Sequence, residues 1–140
     1  MLNADDYVAK TRRFMEEVFN KGNMKAVDEF MSANITEHNP FPGQGPGVEG
    51  FKKGMSDFRQ AFPDLRIVVD DIFADGEKVV ARTTMKGTHK GTFMNTPPTG
   101  KQISVEGIDI VRMSVGKAVE HWGIFDALTM MQQIGAIPTS

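Results

Sequence analysis

The spacing of apolar residues changes once along this chain, and the change separates two kinds of structure. From Tyr7 to Phe62 apolar residues recur every three or four positions. Tyr7, Thr11, Phe14, Met15, Val18 and Phe19 make one stripe, with Asn3 or Asp5 placed to cap it and Asn20-Lys21-Gly22 to end it. Val27, Phe30 and Met31 make a second, predicting a short helix over 24–31. Phe51, Met55, Phe58 and Phe62 make a third, predicting a helix over 48–62 that Pro63 stops. From Leu65 onward the period falls to two. Alternation predicts strands over 66–73, 79–88, 102–113 and 117–125, with turns at Asp75-Gly76 and Ser114-Val115-Gly116. A last helix over 127–134 presents Leu128, Met131 and Ile134 and ends at Gly135. Between the second and third helices, 35–39 reads as a short strand running into Pro40-Phe41-Pro42-Gly43-Gln44-Gly45-Pro46-Gly47, which continues neither helix nor strand. Helices first and a four-stranded meander after predict an α+β fold, with the helices on the concave face of a curved antiparallel sheet.

Composition narrows the function classes. The 140 residues suit one domain, 1–140, with 40% hydrophobic and 24% charged residues. A net charge of −2 gives no electrostatic footprint for nucleic acid. The absence of cysteine excludes a thiol nucleophile and thiolate metal sites. No apolar run approaches the ~20 residues that span a bilayer, and the first residues do not resemble a secretory leader, so the expectation is a cytoplasmic protein with no membrane partner.

Two polar residues interrupt the apolar hairpin at the end of the sheet. Asp109 lies within Ile108-Asp109-Ile110-Val111, and His121 within Val119-Glu120-His121-Trp122. A three-residue turn at 114–116 places them directly opposite each other; a slip of two residues puts Gly123 opposite Asp109 and His121 on the diagonal. Both registers make them same-face neighbours, unless a bulge intervenes. A carboxylate beside an imidazole is a candidate acid/base pair, and equally a hydrogen-bonded structural pair. His38 and Asn39 stand where regular structure breaks, at a lip that often carries function; the alternative is an exposed His and a turn-forming Asn. His89 precedes a polar loop, 91–100, and is assigned to that loop. No two of the three histidines have a short ligand spacing, so no metal site is expected.

Several motifs together resemble one known family. They are Glu37-His38-Asn39-Pro40, Gly47-Val48-Glu49-Gly50-Phe51-Lys52, Gly87-Thr88-His89-Lys90-Gly91-Thr92-Phe93 and Pro97-Pro98-Thr99-Gly100-Lys101. To these are added Gly107-Ile108-Asp109-Ile110 with Arg112, Val119-Glu120-His121-Trp122 and Asp126. They are similar to the SnoaL-like polyketide cyclases of the nuclear-transport-factor-2-like superfamily, over nearly the whole chain. The resemblance implies a cone-shaped α+β barrel with an apolar pocket, and a homodimer or higher oligomer built on the outer face of the sheet. It implies intramolecular aldol cyclisation of a polyketide methyl ester without a cofactor. It also places a general-base Asp two residues past the histidine, where this sequence has Gly123. Ketosteroid isomerases share the fold. Their oxyanion aspartate falls on Asp109, their base on Asn39 and their oxyanion tyrosine near Met15.

The expected site follows. Asp109 and His121 share one proton, with either as base, and Asn39 holds the enolate oxygen. His38, Phe41, Met15, Val105, Gly123 and Phe125 contact an apolar, carbonyl-bearing small molecule, and burial lowers the imidazole pKa. A non-catalytic binder that keeps the pocket is the alternative, and hydrolase or dehydratase chemistry a third. Val68, Ile72, Ile108, Ile110, Trp122 and Ile124 are expected on the outer face, where a dimer would cover them with Trp122 near the contact.

Overall fold

A computed structural model describes residues 2–41 and 43–139. Pro42, part of the predicted break at 40–47, lies outside the described residues. Helix α1, Ala4–Phe14, begins on a reciprocal cap: the Asn3 side chain accepts from the Asp6 N–H (3.0 Å), and the Asp6 carboxylate accepts from the Asn3 N–H (2.9 Å). The stripe beyond Phe14 does continue as helix, but as a wider π-helical turn over Met15–Asn20. Asn20 ends it by accepting from the Ile67 N–H (2.6 Å) and donating to the Ile67 carbonyl (3.2 Å), which ties the helix end to the sheet. Helix α2 spans Lys25–Phe30, α3 Gly47–Ala61 and α4 Ala127–Gln133.

The sheet has five strands rather than four. β1 (Met31–Glu37), β2 (Arg66–Asp75), β3 (Lys78–Thr88), β4 (Gln102–Ser114) and β5 (Lys117–Phe125) lie in the order β1-β5-β4-β3-β2. The meander is antiparallel, and β1 is added to its end parallel to β5. The expected short strand thus begins earlier, at Met31, and the second helix stops at Phe30. Helices α1 and α3 pack on the sheet, over a core that includes Val18, Val27, Met55, Phe62, Val79, Val105 and Met113. The α+β expectation holds.

Two bulges decide which side chains face the helices. In β2, Val69 pairs with Thr83 but Asp71 with Arg82, so Asp70 is an extra residue. Ile72 is thereby turned inward onto the core, against the expectation that it lies outside, and Phe73 takes its place on the outer face, 54% exposed. In the β4–β5 hairpin the turn has two residues, not three. Val115 and Gly116 both take positive φ (50° and 79°), and Ser114 pairs with Lys117. That turn alone would set Trp122 opposite Asp109 and send His121 to the outer face. Val119 is the correction: Arg112 pairs with Glu120 but Met113 with Ala118, and the extra residue restores the parity. Asp109 ends opposite Gly123, with His121 on the diagonal.

Candidate functional site

Glu37, at the end of β1, and His121, on β5, are register partners, and Asp109 comes from the next strand over. His121 stands between the two carboxylates. Its Nδ1 lies 2.8 and 2.6 Å from the two Glu37 oxygens, and its Nε2 lies 2.8 Å from Asp109 Oδ1. Burial lowers the imidazole pKa, as expected from the sequence, but the hydrogen bonds that the ring donates to Asp109 and Glu37, and the charge on both, outweigh it and raise the pKa to about 9. At neutral pH both ring nitrogens therefore carry protons and donate. His121 is thus committed as a donor to a carboxylate on each side.

Asn39 joins this group through the backbone. Its Oδ1 accepts from the Gly123 N–H (3.0 Å), and its own N–H donates to Glu37 Oε1 (3.0 Å).

The group borders a cavity of about 1020 Å³ between helices and sheet. Glu37, Asn39, Asp109, His121 and Gly123 line it, and its walls include Met15, Phe14, Phe51, Phe58, Phe41 and Phe125. Phe41 bridges the two sides, with ring centroids 5.7 Å from Phe58 and 5.8 Å from Phe125. The π-helical turn contributes Met15 and Phe19 to the lining.

Two expected contacts lie elsewhere. His38 alternates to the outer face of the sheet, because Glu37 before it points in. There its Nε2 lies 2.7 Å from Glu120, and its ring stacks on Trp122 at 4.8 Å. Arg112 donates to the other Glu120 oxygen (2.8 Å), and Arg112, followed by His38, holds the Glu120 carboxyl below its ordinary pKa. β1 and β5 are thus crossed by two Glu–His pairs, one on each face. Val105 points inward but sits four residues from Asp109, roughly 13 Å along β4. Helix α4 covers that end, with the Gln133 side chain bonded to the Ser104 N–H (2.9 Å) and carbonyl (3.0 Å), and Val105 is core.

Glu37 is the residue that sequence reasoning missed. Its signal was the alternation of the short strand itself: with Ile35 in the core, Glu37 shares its face and His38 does not. His89 has the loop role assigned to it. It is fully buried, its Nδ1 lies 3.0 Å from Thr99 Oγ1, its N–H donates to the Lys101 carbonyl, and its carbonyl accepts from the Gly100 N–H.

Comparison with known proteins agrees with this architecture. The chain is 29% identical over 129 residues to the aklanonic acid methyl ester cyclase DnrD of Streptomyces peucetius, covering 88% of this chain and 87% of that one. A protein from Bacillus cereus described as a polyketide cyclase is 30% identical, with a TM-score of 0.81 over 94% of this chain and 81% of its own. AclR from Streptomyces galilaeus, described as a hydroxylase, is 25% identical, with a TM-score of 0.87 over 99% of this chain and 86% of its own. The family profile described as SnoaL-like polyketide cyclase matches residues 9–134. With a cone-like α+β fold, helices over an open sheet and the family profile matched along most of its length, the chain belongs to the SnoaL-like polyketide cyclases.

Proposed function

We propose that this protein is a cofactor-independent cyclase that closes a ring in an apolar, carbonyl-bearing small molecule by an aldol reaction, with Asp109 as the acid/base. The observation that carries the reading is the Glu37–His121–Asp109 group in the lining of an aromatic-walled cavity. Asp109 Oδ1 is occupied by the imidazolium, and Oδ2 takes the proton from a carbon flanked by carbonyls. The electron pair left on that carbon spreads onto oxygen as an enolate, to which the Asn39 amide NH2 donates. The carbon then attacks a second carbonyl of the same molecule, the new C–C bond forms, and the resulting alkoxide recovers the proton from Asp109. No atom is gained or lost. Glu37 holds the imidazole ring by Nδ1, so Nε2–H stays aimed at Asp109. The aromatic walls supply affinity, and the polar groups at one end supply orientation.

The test is incubation of the protein with aklanonic acid methyl ester, the substrate class named by the curated relative, and with its free acid. Ring closure of the ester, followed by mass-neutral change in absorbance and chromatography, is the expected result. Tight binding with no turnover of any β-carbonyl ester tried would instead establish the second reading, a non-catalytic binder. That reading is favoured by Gly123, which leaves no carboxylate where the resembled cyclases place their base.

The same reading extends to assembly, as a homodimer through the outer face of the sheet. Phe73, Ile108 and Ile124 are 54%, 52% and 73% exposed there, beside a half-buried Trp122 flanked by His38 and by Lys78, whose Nζ lies 5.2 Å from the indole ring. Sedimentation at micromolar concentration is expected to give twice the 15.5 kDa chain mass. Ile124→Glu, at a position too exposed to matter for folding, is expected to give the monomer; a monomeric unsubstituted protein rejects the dimer.

A further inference from the structure

We infer that Gly123 is a positioning residue of the site: its missing side chain is the space in which Asp109 and His121 meet. Diagonal neighbours on antiparallel strands stand about 7–8 Å apart at Cα, and long side chains meet across that gap only if the residue between them leaves room. The residue directly opposite Asp109, two positions from His121, is Gly123. A Cβ built there lies 2.5 Å from Asp109 Oδ1, 2.8 Å from His121 Cε1 and 2.9 Å from His121 Nε2. All three atoms belong to the hydrogen-bonded pair itself, and all are closer than carbon tolerates. Backbone conformation does not explain the glycine, because Gly123 is not among the residues with positive φ. It has a second role through its N–H, which holds Asn39 Oδ1. One residue without a side chain thus sets two of the contacts that shape the polar end of the cavity.

The neighbours that an added methyl would meet are side-chain ends, not backbone. Asp109 and His121 can rotate away, so the expected consequence of a methyl group is a separated pair in a folded protein. The inference deepens the cyclase reading, and it rests on that reading only for its effect on turnover.

The experiment is Gly123→Ala in the full chain, with the His121 imidazole titrated by NMR. The charged groups facing that ring are Glu37 from β1 and Asp109 from β4. In the unsubstituted protein the ring is expected to titrate at about 9. In Gly123→Ala the midpoint is expected to fall by about one unit or more, because one of its two anions is displaced, and turnover to fall along with it. An unchanged midpoint in a folded variant overturns the inference. If Gly123→Ala does not fold, the double variant Gly123→Ala/Asp109→Gly decides. Recovery of folding shows that the methyl met the Asp109 carboxylate, whereas failure both there and in Gly123→Ala/His121→Ala shows that it met something outside the pair and rejects the inference. The titration reads the pair without any substrate. A protein that catalyses nothing, yet shows the shift, removes the cyclase reading and keeps this one.

Discussion

Asp109→Asn lowers the rate of ring closure by about 10²-fold or more, the size expected for loss of a general acid/base, and leaves the fold intact. The substitution keeps the shape of the side chain. Its amide oxygen still accepts from His121 Nε2–H, the bond that now runs at 2.8 Å. What is lost is the capacity to take a proton. Asn39, the aromatic walls and the Glu37–His121 bond are untouched, so substrate affinity is expected to change far less than turnover. The measurement is kcat and KM on the cyclising ester beside a melting curve of the same preparation. Turnover within a factor of a few of the unsubstituted protein would remove Asp109 from the chemistry and move the proton acceptor to Glu37. A lower melting temperature is expected from the loss of one of the two anions on His121, but turnover lost only because the variant no longer folds would return the pair to a structural role.

How much of this site could be read in the sequence depends on how local its causes are. Asp109 and His121 are twelve residues apart on one hairpin, and the period-two rule was enough to set them on one face. The route to that outcome was hidden. A β-branched residue is a poor candidate for positive φ, so Val115 did not advertise a two-residue turn. Nor does any residue type announce the bulge at Val119 that compensates for it. The two departures cancel in parity, and the reading survives them. The bulge at Asp70 has no such partner, and Ile72 and Phe73 exchange faces. Glu37 was hidden differently. It reaches His121 through a parallel pairing between strands that begin more than eighty residues apart, which no local pattern specifies. The crossing of Glu37–His121 inside and His38–Glu120 outside follows from that one pairing. Placing β1 beside β5 assigns all four residues at once. The helices were more legible because their stripes, cap and stop signals are local; only the widening at Met15–Asn20 was not, since a π-helical turn keeps nearly the same apolar stripe.

Protein stability is expected to fall by roughly 3 kcal/mol as pH rises from about 6.5 through 9, and His121→Ala is expected to abolish that fall. The sign follows from proton binding. His121 titrates at about 9 in the folded protein and at 6.5 in the unfolded chain, because Asp109 and Glu37 more than offset its burial. Between those values the folded state holds a proton that the unfolded state has released, so stability decreases with pH. The contribution is complete below 6.5, declines across the window and is gone above the folded value. The side chain is 23% exposed, little enough that solvent screening leaves most of the effect. His121→Ala removes the cation between two carboxylates whose side chains are 15% and 28% exposed. At pH 7 that leaves two facing anions without their shared cation, and the expected cost is about 3 kcal/mol, the lower end for breaking a buried pair. Above pH 9.5 the unsubstituted protein and the variant should converge, apart from the smaller cost of the space left by the ring. Chemical denaturation at a series of pH values reads both curves. Parallel curves, with the same separation at pH 7 and pH 10, would mean that His121 is neutral in the folded protein. In that event it, and not Asp109, is free to take the substrate proton.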